Sequence, residues 1–228
     1  MIKKEPIADS LTFTAEVAAL EKRLFPGDLD AANPGRMKNG SYSWLYRPSH
    51  HAETGLITRA DIAGLSVPGK RLLSIGAHPA YLEQLLCVMG IPAHNIFIAD
   101  KDPAVALADG LMDRTIFDAT GIWPDIGMFD LIIFPESLCM AVGDGTKSGE
   151  TTEDPYPKDK AEASSLAFIL GQAFTKLKPN GEIRANGPQS HPNVVKLASD
   201  ILTKEGHPHA IDYDRFFMTI RRKINVSE

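Results

Sequence analysis

The sequence predicts an α/β fold: a doubly wound, mostly parallel sheet with a C-terminal antiparallel hairpin, built as an α-β-α sandwich. Three observations predict it. From about residue 69 onward, short apolar runs alternate with helical patterns, which is how βαβ units read in sequence. The first of these runs, Arg71-Leu72-Leu73-Ser74-Ile75-Gly76, is largely apolar along its length, as a strand covered on both faces is. The chain closes with two strand-like runs, about 210–213 and 216–222, at hairpin spacing.

Each element has its own signal. Leu11, Phe13, Val17, Leu20 and Leu24 recur at near-helical spacing and predict a helix over 11–24. A Pro-, Gly-, Asn- and Asp-rich loop follows over 26–41, and a second helix over about 51–64. After the first strand, residues 79–89 read as a helix with Leu82, Leu85, Leu86 and Met89 on one face, ended by Gly90 and Pro92. Asn95 to Asp100 is the second strand, and Pro103 to Leu111 the second helix of the alternating region. Thr115 to Asp118 is the third strand and Phe129 to Phe134 the fourth. A helix over 161–177, a turn at Lys178-Pro179-Asn180-Gly181, a fifth strand from Glu182 to Asn186 and a helix over 192–205 complete the series. The polar stretch 143–162 is an insertion after the fourth strand, read as a lid or a disordered excursion. The division expected is a helical and loop cap over 1–65 and a Rossmann-like domain over 66–228.

Composition narrows the function. A hydrophobic fraction of 43% and a charged fraction of 23% are those of a globular chain. A net charge of −5, with no long Lys/Arg run, argues against nucleic acid as a partner. No apolar stretch approaches the ~20 residues of a membrane helix, and no secretory segment follows the charged N-terminus. Cys87 and Cys139 both sit in apolar surroundings, without disulfide or zinc spacing. A soluble, cytoplasmic protein without a bound metal is expected. The seven histidines, among them His50-His51 and His207-Pro208-His209, show no metal-ligand spacing and read as scattered surface residues.

In an open parallel sheet, ligands bind beyond the carboxyl ends of the strands where the strand order reverses. The turn after the first strand reads Ser74-Ile75-Gly76-Ala77-His78-Pro79-Ala80-Tyr81. Its small residues let a ligand approach the backbone, and the next helix N-terminus offers N–H groups. The second strand ends in Asp100, where a carboxylate can accept hydrogen bonds from both ribose hydroxyls.

With these residues in place, the chain resembles the class I S-adenosylmethionine-dependent methyltransferases over about 69–222. Leu72 to Gly76 resembles the first motif. Ile98-Ala99-Asp100-Lys101 is similar to the strand whose acid holds the ribose. Phe117-Asp118-Ala119 resembles the motif that meets adenine, and Phe129 to Ser137, with Pro135 and Glu136, resembles the fourth. The first motif keeps one glycine, Gly76; Ser74, His78 and Ala80 stand where the family has an acid and two further glycines. The resemblance implies S-adenosylmethionine as cofactor, S-adenosylhomocysteine as product and a small-molecule methyl acceptor, with a homodimer as the candidate assembly. It places the cofactor on Ser74, Gly76, Ala77, His78, Tyr81, Asp100, Lys101, Asp118, Ala119 and Pro135, and Glu136 at the reaction centre. Tyr42, Trp44 and Tyr46, at period two, are the candidate substrate wall. Two alternatives stand beside this reading: a non-catalytic scaffold or subunit partner of the same fold, and a nicotinamide-dependent oxidoreductase, which would want the Gly-x-Gly-x-x-Gly that is missing here.

Overall fold

Alternation along the strands assigns each side chain to one of two cores. In the computed structural model, residues 7–25, 47–77, 80–102, 113–142, 157–186, 192–213 and 217–223 are described. Seven strands form one sheet: β1 (Leu72–Ile75), β2 (Ile96–Asp100), β3 (Asp113–Ile116), β4 (Phe129–Phe134), β5 (Leu177–Asn186), β6 (His209–Tyr213) and β7 (Phe217–Arg222). Their order is β3-β2-β1-β4-β5-β7-β6. β1 to β5 run parallel, and β7 enters antiparallel between β5 and β6. The chain steps outward from β1 to β3, then returns to place β4 on the other side of β1. The strand order therefore reverses between β1 and β4, which opens a crevice at their carboxyl ends.

One face of the sheet presents Leu72, Ile96, Ile98, Leu131 and Ile133. Four helices cover it: α1 (Ile7–Leu24), α2 (Pro48–Glu53), α3 (Arg59–Leu65) and α4 (Tyr81–Val88). Phe13, Val17, Ala52, Leu65, Leu82 and Leu86 are their buried contributions. The opposite face presents Leu73, Ile75, Ile132, Phe134 and Ile183 to α5 (Ser137–Val142), α6 (Pro157–Thr175) and α7 (Pro192–Lys204). Each fully buried Leu, Ile or Phe contributes about 1.5–3 kcal/mol. The two layers of helices, more than any single contact, hold the sheet between them.

Several elements differ from the sequence expectation. The helix expected over 51–64 is two helices. Gly55, at φ +80°, turns the chain after α2. Thr58 then caps α3: its side chain accepts from Asp61 N–H, and the Asp61 carboxylate accepts from Thr58 N–H. Arg184 of β5 donates to Asp61 from Nη1 at 2.6 Å, which ties α3 to the sheet. The third strand lies two residues earlier than expected, leaving Phe117 and Asp118 in a loop. The turn expected at 178–181 is a bulge within β5, because pairing jumps from Phe129–Leu177 to Leu131–Glu182. Helix α5 was not expected. The 143–162 insertion ends in helix, since α6 begins at Pro157; residues 143–156 lie outside the described residues, as does the expected helix over 103–111. Among the described residues, no helix is long and apolar enough to cross a membrane.

Candidate functional site

A cleft of about 370 Å³ opens at the carboxyl ends of β1, β2 and β4, at the point where the strand order reverses. Gly76, the residue after β1, forms its floor. Two constraints demand glycine there. Its φ is +78°, a region that side chains with a Cβ disfavour. An added Cβ would also collide with the Ser137 side chain, reaching 2.7 Å from Oγ. The Ser137 hydroxyl donates to the Ile75 carbonyl at 2.5 Å, and Gly76 N–H donates to the Ala99 carbonyl at 2.8 Å. The bend is thus locked to β2 on one side and to the start of α5 on the other.

Asp100, the last residue of β2, lines the same cleft as Gly76, together with Lys101, Asp118, Ala119, Pro135 and Glu136. Asp100 Oδ1 accepts from Asp102 N–H at 2.8 Å. Asp118 Oδ1 accepts from Thr120 N–H at 2.9 Å and from the Thr120 hydroxyl at 2.8 Å. These hydrogen bonds, the backbone one first, hold the Asp118 carboxyl below its ordinary range. Asp118 therefore organises the loop after β3 while also facing the cleft.

Other expected site residues are placed differently. Ser74 does not line the cleft. Strand parity puts it on the same face as Leu72, fully buried, with its hydroxyl donated to Glu83 of α4 at 2.5 Å. Burial, offset in part by that hydrogen bond, pushes the Glu83 carboxyl up to about 7. Ala77 and Tyr81 line a second, much smaller cavity of about 10 Å³, which they share with His51 and Glu83. It adjoins the main cleft, because Gly76 and Pro135 border both. Tyr81 packs on Phe25 at 4.7 Å between ring centroids. His78, Tyr42, Trp44 and Tyr46 lie outside the described residues. Asp130 is structural: it accepts from Lys70, Lys178 and Arg71 N–H.

Glu136 is the buried carboxylate of the cleft, 3% exposed. It follows β4 with φ +54°, a left-handed conformation that costs a non-glycine residue about 1 kcal/mol or more. Two neighbours hold it there. His50 Nε2 lies 2.9 Å from Glu136 Oε1. Asn186, at the end of β5 and completely buried, accepts the Glu136 N–H through Oδ1 at 3.1 Å. That contact fixes the amide orientation, so Asn186 Nδ2 donates, to His51 Nδ1 and to the Thr54 hydroxyl, both at 2.9 Å. His51 consequently carries its proton on Nε2. Burial, first, and the neighbouring His50, second, lower its pKa to about 3, so it is neutral.

This cluster corrects the surface reading of the histidines: His51 is 2% exposed, and His209 is also buried, bonded to the Ser199 hydroxyl. No motif marked His50, His51 or Asn186, because they meet only in the folded chain. The one local hint was the adjacency of two histidines to the Thr54–Thr58 turn. Among the described residues, no three His, Cys, Asp or Glu side chains gather as a metal site.

With strand order, crevice and lining residues placed, comparison with solved structures decides the fold. The chain is similar to the CcbJ methyltransferase of Streptomyces caelestis, with a TM-score of 0.50 and 8% identity, over 72% of this chain and 88% of that one. The chain shares the fold of that protein. Lower scores are found with a TehB-like S-adenosylmethionine-dependent methyltransferase from Corynebacterium glutamicum (TM-score 0.46, 13% identity, 92% and 99% covered). Another is the amino pentose methyltransferase CalS10 from Micromonospora echinaspora (TM-score 0.49, 12% identity, 79% and 92% covered). No protein-family model and no curated protein sequence matches the chain.

Proposed function

We propose that the chain is an S-adenosylmethionine-dependent methyltransferase acting on a small molecule. One observation carries the reading: Gly76 and Asp100, at the ends of adjacent strands, line a single cleft beside the reversal of strand order. The cleft volume, about 370 Å³, falls in the range of ligand sites. The missing Cβ at Gly76 lets a ligand lie against the backbone, and the Asp100 carboxylate is an acceptor for a pair of ribose hydroxyls.

In this reading Lys101, Asp118 and Ala119 border the base, while Pro135 and Glu136 border the methyl end. The cofactor supplies the reactive sulfonium methyl group. The protein's own contribution is alignment and exclusion of water. Residues 1–65 act as a cap over the 66–228 domain, and α2 brings His50 and His51 from that cap to the acceptor side. Titration calorimetry with S-adenosylhomocysteine tests the reading: one site per chain with micromolar affinity is expected, reduced tenfold or more in Asp100→Ala. No heat at millimolar ligand would overturn it.

A further inference from the structure

The acceptor end of the cleft differs from the rest of its lining in one respect: its carboxylate is buried. Asp102 and Asp118 are exposed and Asp100 half-buried, whereas Glu136 is 3% exposed. A carboxylate withdrawn from water is stabilised by a cation brought against it, far more than an exposed one is. From this placement we infer that the acceptor is an amine, which enters as an ammonium group against Glu136, with His50 and Asn186 as positioning residues. The inference rests on the methyltransferase reading and adds the substrate class to it.

Proton chemistry favours the same class. An ammonium gives one proton to a Glu136 carboxylate oxygen: an N–H bond breaks, an O–H bond forms, and a neutral amine is left with its lone pair available. Reference acidities set that transfer about six powers of ten uphill for an alkylammonium. For a hydroxyl as weakly acidic as water the gap is about eleven powers of ten. A phenol matches the ammonium in acidity but brings no charge to offset the buried carboxylate.

The positioning residues act on the two ends of Glu136. A carboxylate only accepts, so His50 donates its Nε2–H to Oε1. Asn186 holds the backbone N–H in the left-handed conformation, and its own orientation is fixed by His51 and Thr54 of the cap. The carboxylate is therefore aimed from both the sheet and the cap before any ligand arrives.

Sinefungin is the probe: it is S-adenosylhomocysteine with the sulfur replaced by a carbon that bears an ammonium group. Calorimetry compares the two ligands on the full chain. The wild type is expected to bind sinefungin about tenfold or more tightly than S-adenosylhomocysteine, as a charge-assisted hydrogen bond implies. Glu136→Gln should remove the preference, His50→Leu should reduce it, and His50→Gln, which still donates, should restore most of it. A purely structural role for His50 would lower both affinities and leave their ratio unchanged. Equal affinities in the wild type, or a preference that survives Glu136→Gln, would overturn the amine assignment while leaving the methyltransferase reading intact. Absence of binding by either ligand would overturn both.

Discussion

The two ends of the cleft are built in different ways. At the β1–β2–β3 end, the side chains that face the ligand space are held by their nearest neighbours in sequence: Asp100 by Asp102 and Asp118 by Thr120, each two residues away. At the β4–β5 end, Glu136 is held by His50, 86 residues earlier, and by Asn186, 50 residues later. The first end is a set of capped turns that each fold locally. The second exists only when α2 and the sheet have docked. A site made in this way can keep its β1–β2–β3 end constant while changes around α2 reshape the β4–β5 end.

The largest expected effect lies where the two ends touch. Gly76→Ala places a Cβ into Ser137 at a positive φ, so destabilisation of about 3 kcal/mol or more is expected, with loss of nucleoside binding. A chemical denaturation midpoint close to the wild type would show that Gly76 is not the joint between the two ends.

Next come two buried titrating groups, both bordering the small second cavity, whose effects on stability oppose one another. Glu83 is raised to about 7, so the native state keeps a proton that the unfolded chain has released above about 4.5. Its contribution is greatest at low pH and is lost as pH rises through that window. His51 is lowered to about 3 from 6.5; its contribution is present above 6.5 and is lost as pH falls toward 3. Each amounts to a few kcal/mol. Glu83→Gln should therefore stabilise the protein at pH 8 and leave stability rising from pH 4 to 7. Denaturation midpoints that are flat across that range in the variant would contradict the assignment.

Asn186→Ala removes three hydrogen bonds at the β4–β5 end, two of them buried, and should destabilise by about 2 kcal/mol. Affinity for S-adenosylhomocysteine should fall less than fivefold, since the nucleoside end does not depend on Asn186. An equal loss of nucleoside affinity would erase the distinction between the ends. The smallest effect carries the opposite sign. Glu136→Gly relieves the left-handed backbone and removes a buried carboxylate, so a gain of about 1 kcal/mol is expected from thermal unfolding. A variant less stable than the wild type would mean that the His50 contact outweighs the strain.

The same contrast explains what could be read in the sequence. Parallel strands are apolar runs of fixed period, and β2 and β4 stand where their residues predict them. The loop glycine and the strand-end Asp100 are legible because their positions relative to a strand follow from topology alone. The boundaries that shifted are those decided by pairing partners. β3 begins at Asp113 because that residue pairs with Phe97, and β5 reaches back to Leu177 because Phe129 gives it a partner. The break between α2 and α3 was in principle readable, since Thr58 and Asp61 have capping-box spacing. Ser74 was assigned to the ligand by resemblance, whereas strand parity turns it toward Glu83. The His50–Glu136 and His51–Asn186 contacts left no local pattern, because contacts spanning 86 and 135 residues are set by the docking of α2.

The decisive experiment is a crystal structure of the chain grown with S-adenosylhomocysteine. The adenosine is expected in the cleft between Gly76 and Asp100, its ribose hydroxyls within hydrogen-bond distance of the Asp100 carboxylate and its sulfur on the Pro135–Glu136 side. Ligand bound at any other face of the sheet, or an adenosine whose ribose turns away from Asp100, would contradict it.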